Sequence, residues 1–105
     1  MTDELRQQIQ SLIDQHKILV FMKGTPSLPM CGFSAATVEV LDELGAKYAA
    51  VNILEDPALR EGIKEFSNWP TIPQVYVNGK FIGGCDIVRE MHERGELAPL
   101  VKQAA

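Results

Sequence analysis

Cys31-Gly32-Phe33-Ser34 has the spacing of a C-x-x-C redox pair, with serine where the second sulfur would stand. A C-x-x-C pair can close a local disulfide on itself. Serine at position 34 removes that route. The Cys31 sulfur must react with an outside thiol, stay free or bind a metal. Only one other cysteine occurs, Cys85. Two cysteines are too few for a disulfide scaffold and favour a reducing compartment. The chain has no zinc spacing. His16 and His92 stand alone at element ends, so neither reads as a metal ligand.

The surroundings of Cys31 argue for reactivity. Gly24-Thr-Pro-Ser-Leu-Pro29 is a loop by composition, and a helical pattern begins just beyond Cys31. At a helix start, unpaired backbone N–H groups and the helix dipole both favour a negative sulfur. Such a cysteine titrates below the free value of ~8.5. Lys23, at the end of the preceding strand, lies on the same sheet edge and adds positive charge. The plain alternative is a small buried hydrophobe, the usual fate of a lone cytosolic cysteine. Pro29, Gly32 and the helix-start position argue against that fate.

The elements that must position these residues follow from periodicity. Leu5, Ile9, Leu12 and Ile13 recur at helical spacing behind Asp3 and Glu4, acids that suit a first turn. Lys17 to Met22 reads as a strand covered on both faces, because its apolar run does not alternate. Ser34 to Leu44 reads as a helix, with Gly45 as its C′ residue. Tyr48 to Leu54 is a second strand. Asp56-Pro57 starts a third helix, by cap and first-turn proline, with Leu59, Ile63 and Phe66 inward. Gln74–Val77 and Lys80–Ile82 are short strands joined by Asn78-Gly79, a strong hairpin signal. Ile87, Val88 and Met91 mark a fourth helix ending at Gly95, and Leu97 to Val101 a short last one. The order is α-β-α-β-α-β-β-α-α. A right-handed parallel crossover and a later antiparallel hairpin predict an α/β fold, a mixed four-stranded sheet with helices on both faces.

Composition narrows the function. The 105 residues predict one domain over positions 1–105. Hydrophobic residues make up 46% and charged residues 23%, enough for a small core and inconsistent with general disorder. A net charge of −4 argues against nucleic acid as a partner. The longest strongly apolar run, Ile18 to Met22, is far too short to cross a membrane. The polar, acidic start is unlike a targeting segment, so the expected location is the cytoplasm, or an organelle matrix if a leader has been removed.

Four blocks occur in order: Lys23-Gly-Thr-Pro26, Pro29-x-Cys-Gly-Phe-Ser34, Trp69-Pro-Thr-Ile-Pro-Gln74 and Gly83-Gly-Cys-Asp86. Together, over nearly the whole chain, they resemble the CGFS-type monothiol glutaredoxins, which have a thioredoxin-like fold. Each block alone is weak; four in register are specific. The resemblance implies a glutathione site. Cys31 would be the sulfur that joins glutathione or iron. Lys23 would pair with a glutathione carboxylate, assisted by Arg60. The backbone of Ile72, before a cis Pro73, would pair with the cysteinyl part. Gly84, Cys85 and Asp86 would hold the γ-glutamyl end, with Asp86 taking the ammonium. Phe33 would lie beside a metal cluster. Thr71 would contact the ligand or cap a turn.

These roles make physical sense, since glutathione needs separated cations, an acid and free N–H donors. Taken singly, Lys23 and Arg60 also read as solvated charges and Asp86 as an N-cap. Cys85 reads as a structural or ligand-lining residue rather than a resolving thiol, because it starts a helix behind two glycines. Trp69 reads as packing at a helix–strand boundary.

The family binds a [2Fe–2S] cluster, and sulfur arithmetic explains how. Four thiolates usually hold such a cluster. One chain offers one convincing sulfur, so two chains and two glutathione molecules complete the set. The resemblance therefore implies a cluster carrier, homodimeric when loaded, that serves apo iron–sulfur recipient proteins. The alternatives are a glutathione-dependent thiol–disulfide oxidoreductase acting on protein mixed disulfides, and a regulatory adaptor paired with a BolA-like protein.

Overall fold

The computed structural model describes residues 1–104; Ala105, the end of the expected domain, lies outside the described residues. Helix α1 spans Asp3–Gln15, strand β1 Ile18–Met22, α2 Gly32–Glu43 and β2 Ala49–Asn52. A 3-10 turn, Ile53–Glu55, leads into α3, Pro57–Ser67. Strands β3 (Gln74–Val77) and β4 (Lys80–Gly83) precede α4 (Cys85–Glu93) and α5 (Leu97–Ala104).

The sheet order is β2-β1-β3-β4. Strand β1 runs parallel to β2 and antiparallel to β3, and β3 and β4 form the hairpin. Central β1 is buried along its whole length. This is why its apolar residues run without a break. Two cores result. Ile18, Val20 and Met22 face Val38 and Leu41 of α2, Val88 of α4, and Leu97 and Val101 of α5. Leu19 and Phe21 face Ile9 and Ile13 of α1 and Leu59 and Ile63 of α3. The mixed sheet with helices on both faces is as expected.

Local signals set most boundaries. The Asp56 carboxylate accepts from the Leu59 N–H at 3.1 Å and caps α3, with Pro57 in its first turn. Asn78 and Gly79 both take positive φ, 51° and 79°, as a tight hairpin between right-twisted strands requires. Several boundaries differ from expectation. Helix α2 begins at Gly32 rather than Ser34, so Cys31 is its N-cap. Strand β2 stops at Asn52, although Ile53 and Leu54 continue the apolar run. The Asn52 side chain accepts from the Leu54 N–H at 3.1 Å and turns the chain into the 3-10 segment. Lys17 precedes β1, while α5 runs past Val101 to Ala104.

No described helix is long and apolar enough to cross a membrane.

Candidate functional site

The C-terminal end of β1 runs into the loop that carries the reactive residue. Lys23 is held there by its backbone. Its N–H donates to the Ser34 hydroxyl at 3.1 Å, and its carbonyl accepts from the Met30 N–H at 2.9 Å. Gly24 follows at φ +90°, bridged to Pro29. A Cβ on Gly24 would sit 2.5 Å from the Leu28 carbonyl oxygen and 2.6 Å from the Met30 nitrogen. Only glycine fits this backbone approach.

Ser34 is fully buried, its hydroxyl accepting from Lys23. The position where a resolving sulfur would stand is thus a structural brace. Cys31 is half-buried and free, at the N-terminus of α2. Its side chain makes no capping hydrogen bond of good geometry. The N–H of Ser34 nonetheless does most to draw the thiol pKa below its ordinary value; the Phe33 N–H and the Lys23 charge add to this, against a smaller opposing effect of burial. Backbone dipoles at a helix start therefore outweigh partial desolvation.

An open cleft of about 440 Å³ lies beside Cys31. Every site residue expected from the sequence lines it: Lys23, Cys31, Phe33, Arg60, Thr71, Ile72, Pro73, Gly84, Cys85 and Asp86. The Ile72-Pro73 bond is cis. Ile72, Pro73, Gly84 and Cys85 are buried, whereas Thr71 and Asp86 are exposed. Asp86 lies in the first turn of α4, behind the N-cap Gly84. The cleft thus meets two helix N-termini, those of α2 and α4. Both favour an anionic ligand.

Four lining residues were not anticipated as site residues: Lys64, Trp69, Pro70 and Ile87. Lys64 stands one turn after Arg60 on α3, and that spacing was the available signal. Its ion pair with exposed Glu61 is loose, at 3.6 Å, and of little energetic weight. Lys23, Arg60 and Lys64 therefore make one wall of the cleft cationic in a chain of net charge −4. Trp69 packs edge-on to Phe81, as a boundary residue should, and also lines the cleft. Ile87, read only as a marker of the fourth helix, lines it as well.

The Trp69–Pro73 part of the lining depends on one buried carboxamide. Gln74 is fully buried. Its Nε2 donates to the carbonyls of Trp69 at 3.2 Å and Thr71 at 3.3 Å, and its Oε1 accepts from the Tyr76 hydroxyl at 3.1 Å. The Trp69–Pro73 segment is thereby fixed to β3.

Around Cys31 the surface is apolar. Leu28, Met30 and Phe33 are 67%, 61% and 62% exposed. Neither histidine joins the site: His92 pairs with Glu43 at 3.1 Å, away from the cleft. Among the described residues, no group of three or more His, Cys, Asp or Glu side chains could hold a metal ion.

A thiol with a lowered pKa stays reactive as pH falls below the free-cysteine value. Iodoacetamide labelling of Cys31 should therefore show a midpoint below ~8.5, and at pH 7 should outpace a model thiol. Mass mapping of the adduct checks this. Cys85, being buried, should label much more slowly.

The sequence profile of the Glutaredoxin family matches residues 18–82. The chain is 55% identical over 107 residues to "Monothiol glutaredoxin-5, mitochondrial" of Saccharomyces cerevisiae, covering 99% of this chain and 71% of that protein. Its structure resembles that of reduced poplar apo GrxS14, with a TM-score of 0.82 and 47% identity over 95% of this chain and 92% of that one. It also resembles a buckwheat glutaredoxin–glutathione complex, with a TM-score of 0.86 and 29% identity over 99% of this chain and 96% of that one. With one reactive cysteine, a buried serine three residues on and these relatives across its length, the chain belongs to the glutaredoxin family, among its CGFS-type monothiol members.

Proposed function

We propose that the chain is one glutaredoxin domain that binds glutathione in the cleft beside Cys31 and carries a [2Fe–2S] cluster as cargo between iron–sulfur proteins. The observation that carries this reading is the pairing of an activated, half-exposed Cys31 with a fully buried Ser34. One sulfur faces outward and none stands behind it.

Lys23, Arg60 and Lys64 hold the carboxylate at one end of the tripeptide. Asp86 takes the ammonium at the other end, and the first N–H groups of α4 take the neighbouring carboxylate. The Ile72 backbone pairs with the middle of the ligand, as an added strand pairs with a sheet edge. Bound in this way, the glutathione sulfur lies near Cys31. Each chain then presents two thiolates, one its own and one borrowed. Two chains meet the four-sulfur requirement of the cluster. Their contact buries the apolar collar of Leu28, Met30 and Phe33. Because half the ligands diffuse, the cargo leaves readily, which suits transfer to apo recipients. The same collar and sulfur serve a BolA-like partner in place of the second copy. Two free cysteines fit a reducing compartment, cytoplasm or organelle matrix.

The lowered thiol pKa favours a second reading at the same site. Cys31 attacks the glutathione sulfur of a protein mixed disulfide and releases the protein thiol. A second glutathione thiolate then attacks the Cys31–glutathione disulfide, returning Cys31 and leaving oxidised glutathione.

Anaerobic reconstitution with iron and sulfide, with and without glutathione, tests the main reading. Visible cluster absorption should develop only with glutathione. Equal colour without it would remove the borrowed thiolates from the account.

A further inference from the structure

We infer that Met30 is an oxidation site, at which a peroxide sets whether two chains can close on Cys31. Of the four methionines, Met30 is the most exposed, at 61%. Met1 is 37% exposed and its amine pairs with Glu65. Met22 is fully buried, and Met91 packs half-buried against the core. Met30 is also held in place. Its N–H donates to the Lys23 carbonyl at 2.9 Å, and its Cγ lies over Gly24, 2.8 Å from where a Cβ there would stand. It lies outside the cleft lining, so glutathione bound in the cleft leaves it open. Its chain neighbour is Cys31, and with Leu28 and Phe33 it makes up the exposed apolar collar. In the block Pro29-x-Cys-Gly-Phe-Ser34 it fills the open position.

The oxidant is hydrogen peroxide. Its O–O bond breaks, one oxygen bonds to the thioether sulfur, and the other leaves with both protons as water. The sulfur gives up two electrons and the peroxide takes them. Free Cys31 competes for the oxidant; capped as its glutathione disulfide it does not, and Cys85 is buried. Met30 is then the exposed thioether of this face. Its sulfoxide is polar and chiral, and methionine sulfoxide reductases return it to the thioether. A cluster shared through Cys31 draws residue 30 of each chain into their contact, because the neighbour of a bridging ligand cannot stand clear of it. Burying an unpartnered polar group there is unfavourable, and a pair of chains meets that penalty twice.

Control of pairing rests on the proposed carrier role of Cys31; modification of Met30 does not. Protein with Cys31 held as its glutathione disulfide is treated with hydrogen peroxide, and dithiothreitol then restores the thiol. Peptide mass mapping should find one added oxygen on Met30 ahead of Met1 and Met91, with Met22 last. The product is reconstituted without air with iron, sulfide and glutathione, and sedimentation over a concentration series reads the loaded pair. Its dissociation constant should rise about tenfold or more over that of untreated protein. Methionine sulfoxide reductases should reverse the rise. Met30→Leu, whatever its own dissociation constant, should show no change with peroxide. Oxidation of Met1 or Met91 ahead of Met30 would overturn the site. An unchanged dissociation constant with Met30 oxidised, or an equal rise in Met30→Leu, would overturn the control of pairing. Untreated protein that forms no loaded pair would refute the carrier role and the control of pairing with it, while the mapping still decides the site.

Discussion

Cys31→Ser is expected to fold as the parent does and to lose its thiol chemistry. The position is a half-exposed helix N-cap, and serine is among the best residues there, so thermal stability should hold or rise slightly. The hydroxyl neither ionises near neutral pH nor serves as a soft ligand for iron. Alkylation at neutral pH should fall by about a hundredfold or more, leaving only slow labelling of buried Cys85. Mixed-disulfide formation with glutathione should disappear, and reconstitution should give no stable cluster absorption. Cys85→Ser is the contrasting variant. It should keep alkylation at Cys31 and retain cluster. Undiminished cluster in Cys31→Ser would show that the ligand set has been misassigned.

Gln74→Leu should cost the most stability of any single change in the site's support. Leucine matches the shape but satisfies none of the three groups that the carboxamide serves. The Tyr76 hydroxyl and the carbonyls of Trp69 and Thr71 lose their partners. An unsatisfied buried group costs about 1–3 kcal/mol. The carbonyls lie nearer the surface, where water offsets part of the loss. A net loss of about 2–4 kcal/mol follows, or a Tm drop of roughly 10–25 °C for a domain of this size. Adding Tyr76→Phe removes one orphaned group and should recover about 1 kcal/mol. The effect on function should be one-sided. Glutathione should bind more weakly, because the Ile72 edge is no longer held in place. The pH midpoint of Cys31 alkylation should stay put, because the groups that set it belong to α2 and Lys23. Calorimetry and alkylation, run on the same variant, check both halves.

The residues that proved legible in the sequence act locally. Asp56-Pro57 caps a helix whatever lies beyond it, and Asn78-Gly79 makes a tight turn by itself. The unbroken apolar run of β1 states its own burial. Motif spacing brought the site residues of the four blocks to one cleft because each block sits at an element end, and those ends meet at one edge of the sheet; Arg60, outside the blocks, reaches the cleft from within α3. What escaped depends on contacts distant in sequence. Ile53 and Leu54 look like strand, and only the side chain of Asn52 ends it there. Its bond to Gly24 spans 28 positions and has no sequence signature. Gln74 reads as the first residue of a strand; its role depends on where the Trp69–Thr71 carbonyls lie in the folded chain. Lys64 was hidden among ordinary helix-surface charges. Ser34 was legible as a missing sulfur but not as the brace that holds Lys23.

The most direct test of the central claim is native mass spectrometry of protein reconstituted without air in the presence of iron, sulfide and glutathione. The account predicts one species holding two chains, one [2Fe–2S] cluster and two glutathione molecules, and its loss when glutathione is removed. A single chain carrying the whole cluster, or a colourless protein with no change in mass, would contradict it.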